Sequence, residues 1–307
     1  MTQAELKKTF YSNGKLLITG EYTVLDGAKA FALPTKGGQY LDVTPNNNST
    51  INWKSYDSDG SVWYESEFAL TSVFKNTPDD NEVTITLINM LHQAWLAKPD
   101  ILNGTGYTVE TRLTFPKNWG LGTSSTLINN IAQWFKINAF DLLAKSFGGS
   151  GYDIACAQND TAIVYHLDEG NPITEPITFN PAFTDKLYFV YLNRKQNSKQ
   201  AIAAYRERRN SIAPVLAKVN ILTEKALKAN SAQSFSDALD EHEAIMSAVL
   251  GLPTMKSLIF PDFKGTIKSL GAWGGDFVLA VAEENPIEYF KSKGFETIVP
   301  YSEMILG

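Results

Sequence analysis

A single cysteine, Cys156, in 307 residues leaves no partner for an internal disulfide and suits a reducing compartment. Histidine is scarce too. His92, His166 and His242 stand too far apart for a metal-ligand spacing, and each reads as a surface or satisfied core residue. No apolar run approaches the roughly 18 residues that a membrane-spanning helix needs. The first ten residues, MTQAELKKTF, carry no apolar stretch of the kind found in a secretory signal. Basic charge is in the minority, with 27 Lys and Arg against 33 Asp and Glu and a net charge of −6. That balance argues against a nucleic-acid partner, because phosphate contacts need a net basic surface. The one basic run, Arg206-Glu207-Arg208-Arg209, interrupts itself with an acid and reads first as a solvated helix face, second as an anion contact. The expectation is a soluble cytoplasmic chain, off the membrane, that handles a small molecule as a monomer or homodimer.

What is present is an ordinary globular composition, 44% apolar and 20% charged, without repeats. The length suits two packed domains, or one large one. Strand patterns dominate the first half: 15–19, 39–43, 50–54, 62–68 and 108–115. The hairpin signal Asp57-Ser58-Asp59-Gly60 joins the third and fourth of these, and the last alternates cleanly. Residues 81–97 read as a helix. After Phe115 the pattern changes: Pro116 ends the strand, a glycine-rich loop follows, and Leu127, Ile131, Trp134 and Phe135 then recur at helical spacing. A second cluster, Gly148-Gly149-Ser150-Gly151, opens another helix, and 161–167 returns to strand. The Pro-, Asn- and Thr-rich stretch 171–185 reads as a linker. It divides an N-terminal domain, 1–180, from a C-terminal domain, 181–307. Beyond it lie a strand at 187–192, long helices over about 199–229 and 231–250, a glycine-rich turn at 271–275 and a strand at 277–282. The second half suggests a small α+β sandwich.

The loop PKNWGLGTSS, residues 116–125, carries the first chemical signal. Gly120 and Gly122 let the main chain approach a ligand closely. The helix that follows offers free N–H groups and the positive end of its dipole to a phosphate. Thr123, Ser124 and Ser125 add hydroxyls for phosphate oxygens or a magnesium ion. The competing reading is a plain strand–turn–helix with a Ser/Thr cap. No Lys follows the second glycine as in a Walker A loop, and the third glycine of a dinucleotide fingerprint is missing.

With its leading proline, this stretch resembles the central nucleotide-binding motif P-x-x-x-G-L-G-x-S-S of the GHMP kinases. Two further segments fall in that family's order. NGKLLITGEYTVLDG, residues 13–27, resembles its N-terminal segment, and LGAWGGD, residues 270–276, resembles its C-terminal glycine turn. The resemblance implies an α+β, two-domain GHMP kinase-like fold. An N-terminal mixed-sheet ATP-binding domain would precede a C-terminal ferredoxin-like α/β sandwich. It also implies ATP and Mg2+. Pro116, Gly120, Leu121, Gly122, Thr123, Ser124 and Ser125 would hold ATP, with Ser124 on the magnesium. Lys15 would offset charge on the transferred phosphoryl group. Asp153, in the GSGYDIA segment, would act as general base toward the acceptor, the alternative being a simple helix-start carboxylate. Glu21, Ser150, Gly151, Gly271, Ala272, Gly274 and Gly275 would line the acceptor site. In NRKQNS, residues 193–198, Lys195 and Ser198 either bind an anionic end of the substrate or belong to a solvated loop.

The form of the 271–276 turn and the GYDIA segment lean toward the mevalonate and phosphomevalonate branch. The implied activity is transfer of the γ-phosphoryl group of ATP to a small anionic acceptor, mevalonate or phosphomevalonate. Alternatives are a diphosphomevalonate decarboxylase-like lyase and a degenerate nucleotide- or metabolite-binding protein. Departures from the family pattern motivate the last of these. Asn13 stands in place of proline. Trp273 stands in place of glycine, where it would narrow the site, stack on a ligand or cover the turn. The stretch from Ser124 to Asp153 is short, and Asp141 does not fall where the family has a magnesium-ligating glutamate.

Overall fold

The computed structural model describes residues 7–194, 202–203, 205–207, 212–271 and 273–307. Lys195, Ser198 and Ala272 lie outside the described residues. Two long strands, β1 (Lys8–Thr19) and β2 (Ala30–Asn46), pair with each other. The chain forms two compact units, and both strands pass from one to the other. The first unit comprises Met1–Gly14, Gly37–Lys117 and Leu121–Gln158; the second comprises Lys15–Lys36, Asn118–Gly120 and Asn159–Gly307.

In the first unit, β3 (Thr50–Tyr56) and β4 (Val62–Ala69) form the expected hairpin, its turn closed by Gly60 at φ 83°. β3 runs parallel to β5 (Gly106–Leu113), and β5 runs antiparallel to the 39–46 part of β2, so the sheet is mixed. The alternation in β5 works as read: Val109, Thr111 and Leu113 are buried. The helices are α1 (Leu70–Lys75), α2 (Glu82–Ala97), α3 (Thr123–Phe135), α4 (Ala139–Ser146) and α5 (Tyr152–Ala157). Asn81 starts α2 by accepting from the backbone of Val83 and Thr84, and Asn138 starts α4 in the same way. One apolar cluster holds the unit together. It packs Trp53 and Val109 of the sheet against Leu87 and Leu91 of α2 and Ile131 and Phe135 of α3.

In the second unit, residues 30–32 of β2 pair with β6 (Ile163–Asp168), and β6 pairs with β7 (Asn171–Pro176). The linker reading of 171–185 is therefore corrected at its start, where 171–176 is a strand. Glu169 and Gly170 both take positive φ, 49° and 84°, the geometry of a two-residue hairpin turn. Pro172 and Pro176 are tolerated because β7 is an edge strand. A second, antiparallel sheet contains β8 (Leu187–Tyr191), β9 (Thr266–Ser269), β10 (Phe277–Val281) and β11 (Ile298–Pro300), ordered β11-β8-β10-β9. That is the order of a ferredoxin-like sandwich. Its helical connection includes α6 (Ala213–Leu227) and α7 (Ala232–Leu250), the latter opened by a Ser231–Ser234 capping box. Phe235, Leu239, His242 and Met246 of α7 are buried and Val249 is half-buried, the spacing of one helix face turned to the core. The fold is thus α+β, with a mixed sheet and a smaller antiparallel one. Among the described residues, no helix is long and apolar enough to cross a membrane.

Candidate active site

The glycine-rich loop delivers its backbone to a helix start with no side-chain cap. Gly122, at φ 97°, is the cap residue of α3, and no side chain hydrogen-bonds to the first-turn N–H groups. The Ser/Thr-cap alternative is thereby set aside. The hydroxyls divide by burial. Ser125 is buried and donates back to the Gly122 carbonyl at 2.9 Å, whereas Thr123 is half-buried and Ser124 is exposed. Leu121 is buried and anchors the loop. At the half-buried Pro116 the chain leaves β5. The next residue, Lys117, donates its backbone N–H to Asp57 and lays its ammonium 4.4 Å from the Trp63 ring centroid.

Thr123 and Ser124 also line a cavity of about 280 Å³ in the first unit. Its walls are largely apolar, with Trp53 and Trp63 from the sheet, Leu87 and Met90 from α2, and Leu127 from α3. A cleft of this size with few polar groups suits a flat heteroaromatic ring. Nothing local in the sequence marks it, because its lining comes from strands and helices far apart along the chain.

Asp153 lies in the first turn of α5, whose cap residue Gly151 has φ 91°; Ser150 precedes it, half-buried. Helix α5 is tied to α3 through Asn129, which accepts from Gln158 at 2.9 Å and donates to Ser12 of β1 at 2.8 Å. Ser12 in turn donates to Asn130 at 2.8 Å. The buried Asn129 and Asn130 amides thus link the Asp153 helix, α3 and β1, and sequence reasoning missed them. The stretch between Ser124 and Asp153 includes α4, so it is not bare of helix. Asp141 lies exposed in the first turn of α4.

In the second unit, the Lys15 ammonium donates to the Gly120 carbonyl at 3.2 Å. Gly120, at φ 66°, is pressed against Asp276: a β-carbon there would fall 1.7 Å from Asp276 Oδ2. Glycine is required at that point by the carboxylate as well as by the backbone. Asp276 follows the third glycine turn, and its role is another that sequence reasoning missed. Tyr191 completes the group by donating to the Asn118 carbonyl at 2.9 Å, and Trp119 packs edge-on against Phe277. Burial, and secondarily the Asp276 charge, raise the Tyr191 phenol above its ordinary value.

Glu21 sits elsewhere in this unit. It is 1% exposed, and its carboxylate pairs with the wholly buried Lys268. Lys268 also reaches Glu243 of α7 at 3.3 Å, and His242 accepts the Gly20 N–H at 3.0 Å. Burial outweighs the Lys268 charge and pushes Glu21 up to about 7. Burial, and then Lys268, hold His242 well below its ordinary value. One Glu21 oxygen, Oε1, is thus paired inside a buried network, while Oε2 is buried without a hydrogen-bond partner among the described residues. Gly271 and Gly274 take positive φ, 65° and 70°, while Gly275 is buried. Trp273 is 6% exposed and its indole donates to Pro253, so it covers the turn rather than stacking on a ligand. Among the described residues, no three His, Cys, Asp or Glu side chains gather in a way that could hold a metal.

No family model and no curated protein matches the sequence. Solved structures match along nearly all of it. Phosphomevalonate kinase of Streptococcus pneumoniae, in complex with phosphomevalonate and AMPPNP, superposes at TM-score 0.68 with 15% identity, covering 97% of this chain and 98% of that one. Mevalonate kinase of Methanococcus jannaschii gives 0.67 with 15% identity, covering 94% of each chain. Galactokinase of Lactococcus lactis, complexed with galactose, gives 0.67 with 14% identity, covering 94% of this chain and 88% of that one. The fold of this chain is that of the GHMP kinases.

Proposed function

We propose that the chain is an ATP-dependent small-molecule kinase that transfers the γ-phosphoryl group to a small anionic acceptor, mevalonate or phosphomevalonate. The observation that carries this reading is the cavity in the first unit, whose apolar walls lead to Thr123 and Ser124 at the uncapped start of α3. An aromatic base in the cleft and phosphates on the helix N-terminus satisfy both ends of that arrangement. Pro116, Gly120, Leu121, Gly122 and Ser125 shape the loop that presents these groups.

The reaction forms a bond between an acceptor oxygen and the γ-phosphorus and breaks the bridging bond to the β-phosphate, releasing ADP. Where the acceptor is a hydroxyl, its proton passes to the Asp153 carboxylate; a phosphate acceptor has none to give. Lys15 offsets negative charge on the transferred group. Magnesium, carried on the triphosphate, would neutralise phosphate charge, and the exposed Ser124 hydroxyl suits such a guest ion. Ser150, Gly151, Gly271, Gly274 and Gly275 are assigned to the acceptor. Glu21 is left out of this assignment because its side chain is 1% exposed and pairs through Oε1 with Lys268.

A coupled ADP-release assay with mevalonate, phosphomevalonate, homoserine and galactose tests the proposal. Turnover with one of the first two supports it. Turnover with galactose alone would move the acceptor to the sugars. Tight ATP binding without turnover on any of them would replace the kinase with a nucleotide-binding protein. Carbon dioxide release from diphosphomevalonate would identify the lyase.

A further inference from the structure

Three consecutive residues of the second unit each hold a different element. The Gly20 N–H donates to His242 of α7, the Glu21 carboxylate pairs with Lys268 of β9, and the Tyr22 phenol oxygen accepts the Trp273 backbone N–H at 2.9 Å. The backbone that achieves this is strained. Tyr22 has φ 58° and ψ −45°, and Thr23 N–H donates to the Glu21 carbonyl at 2.6 Å. Together these define a γ-turn of the rare, costly hand. A bulky aromatic residue has no intrinsic reason to take this conformation, and such strain persists only where the surroundings impose it. Gly20 is confined as well, since a β-carbon there would come within 2.7 Å of both the Ala30 Cα and the Lys29 carbonyl.

The strain aims the phenol. The Tyr22 ring stacks on the fully buried Tyr205 at 5.7 Å, and Tyr205 is fixed by a 2.7 Å hydrogen bond to Asp26. From that platform the oxygen meets the one backbone N–H that belongs to Trp273. The Trp273 indole is held independently at Pro253, and its ring lies 6.0 Å from the Lys268 ammonium. A glycine-rich turn has little to hold it in one shape, because its residues carry no side chains to pack. Here one position holds the largest side chain of all, buried and hydrogen-bonded at both its backbone and its ring.

We infer that Tyr22 is a positioning residue which, through the strained turn at 20–23, latches Trp273 and thereby presets the 271–275 turn for its ligand. The role in ligand contact rests on the proposed kinase reading; the latch itself does not. Tyr22→Phe keeps the ring and its stacking but removes the acceptor oxygen. In the full-length protein, amide exchange at Trp273 should quicken by about tenfold, the worth of one buried hydrogen bond. Exchange at α7 and β10 should stay as in the parent. Tyr205→Phe, which removes the bond to Asp26 and keeps the stacked ring, serves as the comparison and should leave Trp273 exchange near the parent value. Unchanged Trp273 exchange in Tyr22→Phe would overturn the latch. If that variant does not fold, the parent alone decides: a Trp273 amide that exchanges at the rate of an open loop also overturns it.

The kinetic arm uses MgATP with phosphomevalonate. Tyr22→Phe should raise the acceptor KM while leaving the ATP KM unchanged. An equal fall of kcat with both KM values constant would mean lost active protein and no positioning role. If the parent turns over no acceptor, the kinase reading falls, and the exchange measurement still decides the latch.

Discussion

The ammonium of Lys268 lies between the carboxylates of Glu21 and Glu243, with all three side chains withdrawn from solvent. Replacing Lys268 with Met keeps much of the volume but strands two carboxylates in the core. Breaking a buried pair in this way costs about 3–5 kcal/mol. The Lys268→Met protein should therefore show a correspondingly lower unfolding free energy in urea. A loss below about 1 kcal/mol would mean that the network is hydrated and weak.

The same network makes stability depend on pH. Burial raises Glu21 from 4.5 to about 7, so between those values the folded protein binds a proton that the unfolded chain does not. The Glu21 contribution is present in full below about 4.5 and is lost as pH rises through about 7. Lys268, Glu243 and His242 face the carboxylate, and His242, held neutral, works in the opposite sense below its ordinary value. The comparison that isolates Glu21 is the parent against Glu21→Gln. Relative to that variant, the parent should lose stability as pH is raised from 5 to 7.5. A difference that stays constant across this range would place the Glu21 titration outside it.

Much of this architecture is visible along the chain, because hydrophobic periodicity is local. The β3–β4 hairpin, the alternation in β5, and helices α2, α3 and α7 follow from spacing and caps. The glycine turns stand out for the same reason. Long-range pairings do not. Lys268 and Glu21 are far apart in sequence, and nothing near either one announces the other. The contact of Asp276 with Gly120 is equally silent, since a glycine demanded by its neighbour looks like one demanded by its own φ. Residues 171–176 were obscured by two prolines that an edge strand tolerates. Helix α4 was hidden by its shortness, with eight residues and only Ala139 and Leu142 buried to mark a periodicity.

The Gly120–Asp276 contact is open to a double-mutant cycle. Gly120→Ala meets both the carboxylate and a positive φ. It should cost about 1–3 kcal/mol of stability, or force a shift of the loop that weakens nucleotide binding. Asp276→Ala in the same chain removes the clash but not the backbone strain, so stability should be partly restored. Full additivity of the two changes would show that the residues do not touch in solution.

Occupancy of the cavity by the base can be separated from phosphate binding. Thr86 lines the cleft from α2, and its hydroxyl donates within its own helix to the Glu82 carbonyl at 2.8 Å. Thr86→Trp would fill the space a base needs while leaving the loop at 120–125 unaltered. The expected result is a loss of AMPPNP affinity of about tenfold or more, with inorganic triphosphate bound as before. Equal loss of both ligands would mean that the substitution disturbs the loop. Retained AMPPNP affinity would place the base elsewhere.

Asp153 carries the most specific chemical assignment. Asp153→Asn preserves shape and the amide can still accept a hydrogen bond, but it no longer takes a proton. With a hydroxyl acceptor such as mevalonate, turnover should fall by about 100-fold or more, the range of a lost general base, while ATP affinity stays within about twofold. With phosphomevalonate, whose acceptor oxygen has no proton to lose at neutral pH, the fall should be smaller. A large loss with both acceptors would assign the carboxylate to positioning or charge rather than to proton removal. A loss of ATP affinity instead would remove Asp153 from the acceptor side altogether.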